Sequence, residues 1–242
     1  MSVVKANWSV WTSLVVLAAI AVFLWRSPLY GAEAPVTIAP PAVDNPKTAG
    51  PLQTAVLAGG CFWGVQGVFQ HVRGVKQVIA GYAGGDKSTA QYDMVSSGGT
   101  GHAESVKITF DPAEVTFGQL LQIAFSVVHD PTELNAQGPD VGTQYRSAIF
   151  YSDDTQKHIA EAYIRQLDQA HVFPKPIVTR VDPLKGFYAA ERHHQDYLVL
   201  HPSAPYIAFN DIPKVNNFQR IFPDLYSPQP VLVNEAPPRR AD

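Results

Sequence analysis

The sequence predicts an α/β (α+β) two-layer sandwich: a ferredoxin-like β-α-β-β-α-β core with a mixed sheet and an irregular C-terminal wrap. Three observations carry this. Val106, Ile108 and Phe110 alternate with Ser105, Lys107 and Thr109, the period of a half-buried strand. Phe117, Leu120, Leu121, Ala124, Phe125 and Val128 form one apolar helical face. Segments of these two kinds follow one another in the order of a split β-α-β motif.

The elements justify themselves in turn. Gln53 to Leu57, with Val56 and Leu57, reads as a strand. Phe62 to Gln70 carries Val65, Val68 and Phe69 at helical spacing. Val75 to Tyr82 and Glu104 to Phe110 read as the next two strands. The helix over 117–128 has Thr116 as N-cap and Pro131 beyond its end. Arg146 to Tyr151 is a strand. Ile159, Tyr163, Leu167 and Ala170 mark a helix led by Asp153, and Ile177 to Val181 a last strand. Pro202 to Tyr226 shows little periodicity and reads as irregular chain wrapped on the body.

Composition sets the bounds. The chain has 242 residues, 46% hydrophobic, enough for one domain with a sizeable core. A formal charge of −3 provides no basic field for nucleic acid. The single cysteine excludes an intrachain disulfide and a cysteine-only zinc site. His193 and His194 are adjacent, so on a helix they point about 100° apart and cannot chelate together; no metal and no other cofactor is called for. The run Trp8 to Trp25 is almost wholly apolar, flanked by Lys5 and Arg26, and about long enough to span a bilayer. It reads as a signal peptide or membrane anchor within residues 1–31, which places the rest of the chain in an exported, periplasmic setting. Residues 32–51, rich in Pro and Ala, read as a flexible linker, residues 52–228 as the folded domain, and residues 229–242 as a flexible tail.

Cys61 sits in Gly59-Gly60-Cys61-Phe62-Trp63-Gly64, where a strand turns into a helix. A helix N-terminus offers unpaired N–H groups and a partial positive charge, which favours thiolate. The position admits two readings, a small buried hydrophobe or a nucleophile. The flanking glycines and the Phe-Trp pair point to the second, because a core cysteine needs neither.

At these residues the chain resembles the A-type peptide methionine sulfoxide reductases. Gly60-Cys61-Phe62-Trp63-Gly64 is followed by Gly81-Tyr82-Ala83-Gly84-Gly85, Gly101-His102-Ala103-Glu104, His129-Asp130-Pro131, Gly142-Thr143-Gln144-Tyr145-Arg146-Ser147 and His194-Gln195-Asp196-Tyr197. All are in the family's order, from about Thr54 to Tyr226. The resemblance implies Cys61 as nucleophile, Glu104 as the acid, Tyr92 and Tyr145 as hydroxyl donors, and Asp140 as a supporting carboxylate. Phe62, Trp63, His194 and Tyr197 are implied as the substrate pocket, with an aromatic wall suited to an S-methyl group. It also implies oxidised methionine, the S epimer, as substrate and a thioredoxin-like protein or small thiol as reductant, acting on a monomer. Two departures stand out: Ser96 occupies a position that is often cysteine in the family, and the C-terminal region has none. Two rivals are a cysteine hydrolase using His102 or His194 as base, and a non-catalytic binding module with an inert thiol.

Overall fold

A computed structural model describes residues 34–233 of the chain. The apolar run over 8–25 lies outside the described residues, as does the tail beyond 233. No helix among the described residues is long and apolar enough to cross a membrane.

The body is of the α/β class, a mixed six-stranded sheet carrying helices. Its strands are β1 (Gln53–Ala58), β2 (Val75–Ala83), β3 (Ala103–Phe110), β4 (Ala148–Tyr151), β5 (Arg180–Pro183) and β6 (Phe187–Ala189). They lie in the order β5-β4-β1-β3-β2-β6. Every neighbouring pair is antiparallel except β4 with β5. Strand alternation divides the side chains between two faces. Ala55 and Leu57 join the main core, whereas Val56 and Ala58 join a small second cluster with Ala83, Ala103, Ala148 and Phe150.

The helices are α1 (Phe62–Gln70), α2 (Phe117–Ile123), α3 (Asp154–Gln169) and α4 (Ile212–Ile221). Phe69, Phe117, Leu120, Leu121, Tyr163 and Phe218 are fully buried between helices and sheet. Each such side chain removed from water contributes about 1.5–3 kcal/mol before entropy is counted. Local signals start the helices. Thr116 accepts from Gln119 N–H at 3.1 Å while the Gln119 side chain accepts from Thr116 N–H at 3.1 Å, a reciprocal cap. Asp153 accepts from Gln156 N–H at 2.8 Å. Past Ile123 the helix widens into a π turn, Ala124–Val128, which delivers His129 to the site end of the sheet.

Three expectations need correction. The segment over 34–51 is no loose linker but a strap laid between α2 and α3. Val36 N–H donates to Ser126 O, Gln122 to Ile38 O, and Tyr163 Oη to Ala39 O at 2.9, 2.9 and 2.7 Å. Ile38 is buried, and Asp44 accepts from the Thr116 hydroxyl and from Gly118 N–H. Backbone without secondary structure is held here by side chains that complete its hydrogen bonds. Second, the C-terminal region is not irregular throughout. It holds α4, with Pro213 in its first turn, whose Val215 and Phe218 are buried in the core. Its start signal was present: proline in the first turn suits a position that lacks a hydrogen-bond partner anyway. Third, the tail begins packed, with Val231 N–H on Gln70 O and Val233 N–H on the Asp196 carboxylate. The last large strand is β5, starting at Arg180 rather than Ile177.

Candidate active site

The place of Cys61 follows from its glycines. Gly60 has φ +90°, and a Cβ there would lie 2.8 Å from Gln137 Cβ, so the turn between β1 and α1 requires glycine. Cys61 then becomes the N-cap of α1 and is 8% exposed. The first helical N–H groups have no partner within the helix. One of them is taken up at the site: Phe62 N–H donates to Glu104 Oε2 at 3.0 Å, while the Cys61 side chain makes no capping hydrogen bond of its own.

Glu104 stands near the start of β3, opposite Tyr82 in register, and is 2% exposed. Burial pushes its carboxyl up to about 8, against the pull of the Phe62 hydrogen bond, and the neighbouring Asp140 and Asp211 push the same way. It is therefore a neutral acid at pH 7. Cys61 is raised well above the usual thiol value, first by burial and then by the charges of Glu104, Asp211 and Asp140. The helix terminus alone would favour thiolate; desolvation and three carboxyl groups outweigh it, so the resting sulfur is a thiol.

Four loops close around this pair. Tyr145 ends a 3-10 turn, Thr143–Tyr145, and Tyr92 opens a one-turn helix, Tyr92–Val95. Both hydroxyls are raised, chiefly by burial and then by Glu104, so they remain protonated donors. Arg146 fixes the geometry from behind, donating to the carbonyls of His102, Thr143 and Gly101 at 3.0, 2.8 and 2.8 Å. The Thr143 hydroxyl reaches Gly98 O at 2.6 Å. Two motifs that are more than 40 residues apart in sequence are thus one rigid unit leading into Glu104. Asp140, in the ribbon Ala136–Gln137 and Asp140–Val141, accepts from the Tyr206 hydroxyl. Burial raises its carboxyl.

The aromatic wall divides in two. Trp63 is half-buried, stacks on Tyr197 at 3.9 Å between ring centroids, and donates from Nε1 to His194 Nδ1 at 3.3 Å. Phe62 is 1% exposed and lies beneath, packed on Tyr82 and His194. Of the two rings, only Trp63 reaches the surface; Phe62 lies below it in the core. The His194-to-Tyr197 segment is keyed to α1 by amides: Gln66 donates to Gln195 at 3.0 Å and accepts from Asp196 N–H at 2.9 Å. That locking presents Tyr197 to Trp63.

Sequence reasoning missed Tyr206, Glu191 and Asp211. Tyr206 packs edge-on to Trp63 at 6.0 Å. Glu191 accepts from the Tyr82 hydroxyl and Tyr92 N–H, both at 2.9 Å, and so positions the Tyr92 loop. Asp211 is wholly buried beside Gly64. The candidate hydrolase base His102 is excluded by its bonds: Gly85 N–H donates to Nδ1 at 3.2 Å, and Nε2 meets Asp86 O at 3.0 Å. Neither ring nitrogen is available to the sulfur.

Comparison with known proteins decides the family. The model of peptide methionine sulfoxide reductase matches residues 53–225. The chain belongs to the peptide methionine sulfoxide reductase family. It is 60% identical over 190 residues to peptide methionine sulfoxide reductase MsrA 2 of Mesorhizobium japonicum, covering 78% of this chain and 97% of that one. It is 50% identical over 192 residues to MsrA 2 of Synechocystis, covering 78% and 90%. Among solved structures it is similar to methionine sulfoxide reductase A of Corynebacterium diphtheriae, with 33% identity, a TM-score of 0.55 and coverage of 74% and 91%. It is also similar to reduced Mxr1 of Saccharomyces cerevisiae, with 32% identity, a TM-score of 0.57 and coverage of 65% and 91%. The reductase family thus supplies a chemistry against which the cluster at Cys61 can be read.

Proposed function

We propose that this chain is a peptide-methionine (S)-S-oxide reductase that repairs oxidised methionine through a sulfenic acid on Cys61. The observation that carries the reading is the pairing of a single cysteine with a buried carboxyl that is neutral at pH 7, both at the first turn of α1. A sulfoxide oxygen leaves only when protonated, so the site needs a nucleophile, an acid and hydroxyl donors. Cys61 attacks the sulfoxide sulfur while Glu104 gives its proton to the oxygen, with Tyr92 and Tyr145 as donors to it. The attack forms a transient S–S bond to a hydroxyl-bearing sulfur; the oxygen then passes to the Cys61 sulfur as the substrate's S–O bond and the transient S–S bond both break, so methionine departs as the thioether and Cys61 is left as S–OH. The thiol's proton restores Glu104, so protons balance. Sulfur in the substrate is reduced by two electrons and Cys61 is oxidised by two. Trp63, backed by Tyr197, offers the apolar wall for the S-methyl group. Tyr206, packed edge-on to Trp63, continues that wall and donates its hydroxyl to Asp140.

With one cysteine in the chain, an external thiol must attack Cys61–SOH, form a mixed disulfide and be displaced by a second thiol. A thioredoxin-like protein or a small thiol fits that role, and the enzyme works as a monomer. The apolar run Trp8 to Trp25 supports export and attachment to the outer side of a membrane; membrane fractionation of the full chain tests it. The order β4-β1-β3-β2, with α1 and α2 as crossovers, supports a ferredoxin-like description of the core. The functional reading is tested by incubating enzyme, dithiothreitol and a mixture of the two methionine sulfoxide epimers, with chromatography of products. Loss of the S epimer alone is expected; no methionine, or equal loss of both epimers, refutes it.

A further inference from the structure

Asp211 precedes α4 but does not cap it, and its carboxylate is 0% exposed. A Cβ on Gly64 would lie 2.1 Å from Asp211 Oδ1, so the carboxylate fills the notch which that glycine leaves, three residues past Cys61 on the first turn of α1. Lys214, one turn further along α4, reaches the same oxygen at 3.6 Å with a side chain only 11% exposed. Burial pushes the Asp211 carboxyl up to about 6, and the Lys214 ammonium opposes that, so at pH 7 it is ionised. The groups facing the sulfur come from every side: Glu104 from β3, Asp140 from the ribbon, Asp211 ahead of α4, and the hydroxyls of Tyr92, Tyr145 and Tyr206. Lys214 also faces Asp140 and the buried, neutral His129, which packs on Gly59.

We propose that Asp211, seated against Gly64 and paired with Lys214, is a positioning residue that keeps Cys61 in its thiol form until a sulfoxide occupies the site. The consequence is selectivity among oxidants. Only a thiolate reacts rapidly with hydrogen peroxide, passing an electron pair to one oxygen to give S–OH while the other oxygen leaves as hydroxide and takes a proton to become water, and a second hydrogen peroxide takes S–OH to the sulfinic acid. An enzyme with one cysteine has no internal thiol to intercept the sulfenic acid before that second step. A carboxylate beside the sulfur suppresses the first reaction at rest, and the sulfoxide, activated by Glu104, overcomes it. The inference rests on Cys61 as the nucleophile, yet its test needs no sulfoxide, so failure of one reading is separable from failure of the other.

The test compares wild type with Asp211→Asn in the rate of Cys61 alkylation by iodoacetamide from pH 5 to pH 8. The expected ratio of variant to wild type is near one at pH 5, where wild-type Asp211 is itself protonated. It climbs to about tenfold by pH 7.5, the effect of removing one close like charge. Asp211→Asn combined with Lys214→Met removes both charges, leaves no lone buried ammonium, and should give the same rise if the single variant is poorly folded. Hydrogen peroxide should convert Cys61 to sulfinate faster in the same variants, read by mass. A ratio that is flat with pH overturns the proposal, because mere loosening of the fold speeds alkylation at every pH; so does slower alkylation at pH 7.5 or an unchanged peroxide rate.

Discussion

Replacing Glu104 with glutamine separates activity from stability in opposite directions. The side chain keeps its size and an oxygen for the Phe62 N–H, but loses the proton it would deliver. With the carboxyl pushed up to about 8, roughly ten molecules in eleven hold that proton at pH 7. A positioned acid contributes about 10²–10⁴ in rate, or about 2.7–5.4 kcal/mol of barrier. Wild-type single-turnover rates should therefore fall as pH rises through about 8, whereas Glu104→Gln is slower and lacks that limb. The stability sign is the reverse. A carboxyl whose folded value is raised from 4.5 to about 8 supports the fold fully below its unfolded value and loses that support as pH climbs through 8. The difference is about 3.5 units at 1.36 kcal/mol each, so the ionised form costs up to about 5 kcal/mol. Glutamine does not titrate. Glu104→Gln should melt near wild type at pH 5 and roughly 10 °C higher at pH 9. Methionine formed per enzyme in rapid quench, with melting curves at both pH values, provides the assay. Rates within threefold of wild type at pH 7, or equal melting at pH 9, would refute the assignment of Glu104 as a buried acid.

Cys61→Ser should leave the fold melting within a few degrees of wild type and yield no methionine, since no other thiol exists in the chain; any turnover in that variant defeats the mechanism. Tyr145→Phe removes one neutral donor and should slow the chemical step about 3–10-fold, far less than Glu104→Gln; a loss as large as that of the glutamine variant would make Tyr145 the acid. Sulfoxide supplied without reductant should give one methionine per chain and leave Cys61 reactive to dimedone; a Cys61-linked dimer as main product would show a different recycling route. Asp44→Ala frees the Thr116 hydroxyl and the Gly118 N–H, so the strap loosens at a cost of about 1–3 kcal/mol. Activity should stay at wild-type level, and an unchanged melting temperature would mean that the strap contributes nothing.

What was legible in the sequence tracks how locally each feature is encoded. Strands β1 to β4 and helices α1 to α3 follow periodicity and caps that sit within a few residues of each other: Thr116 with Gln119, and Asp153 with Gln156; the short edge strand β6 gave no such signal. Cys61 announced itself through its glycines, one of which has the positive φ that the turn needs. The strap was illegible because its order comes from elsewhere. Prolines and alanines carry no period, and Gln122, Tyr163 and Gln166 supply the hydrogen bonds from two helices. Tyr206 and Asp211 were hidden for a related reason. Their neighbours Ala204, Ala208 and Asn210 form no apolar stripe, and a π turn at Ile207–Asp211 breaks the spacing before α4 resumes it. The partner that gives Asp211 meaning, Gly64, lies on the other side of the chain.

The site's arithmetic explains why an enzyme would bury three carboxyl groups around a nucleophile that works as an anion. The overall step consumes no proton: thiol and sulfoxide become sulfenic acid and thioether. The proton that the oxygen needs is the one the sulfur must lose. On the proposed mechanism Glu104 has only to carry it, which requires a carboxyl that holds a proton before attack and retrieves one after, hence a value near the working pH. Burial alone would raise Cys61 and Glu104 together. Their mutual repulsion then forbids the doubly ionised state, so at neutral pH the pair keeps at least one proton at hand. The ionisation that matters is made at the moment of attack, when the negative charge leaves the sulfur for the substrate and the carboxylate left behind no longer faces a thiolate. A helix terminus that simply stabilised thiolate would lower the resting barrier to every oxidant; carboxyl groups that penalise it make the sulfur reactive chiefly toward a substrate whose oxygen Glu104 can protonate.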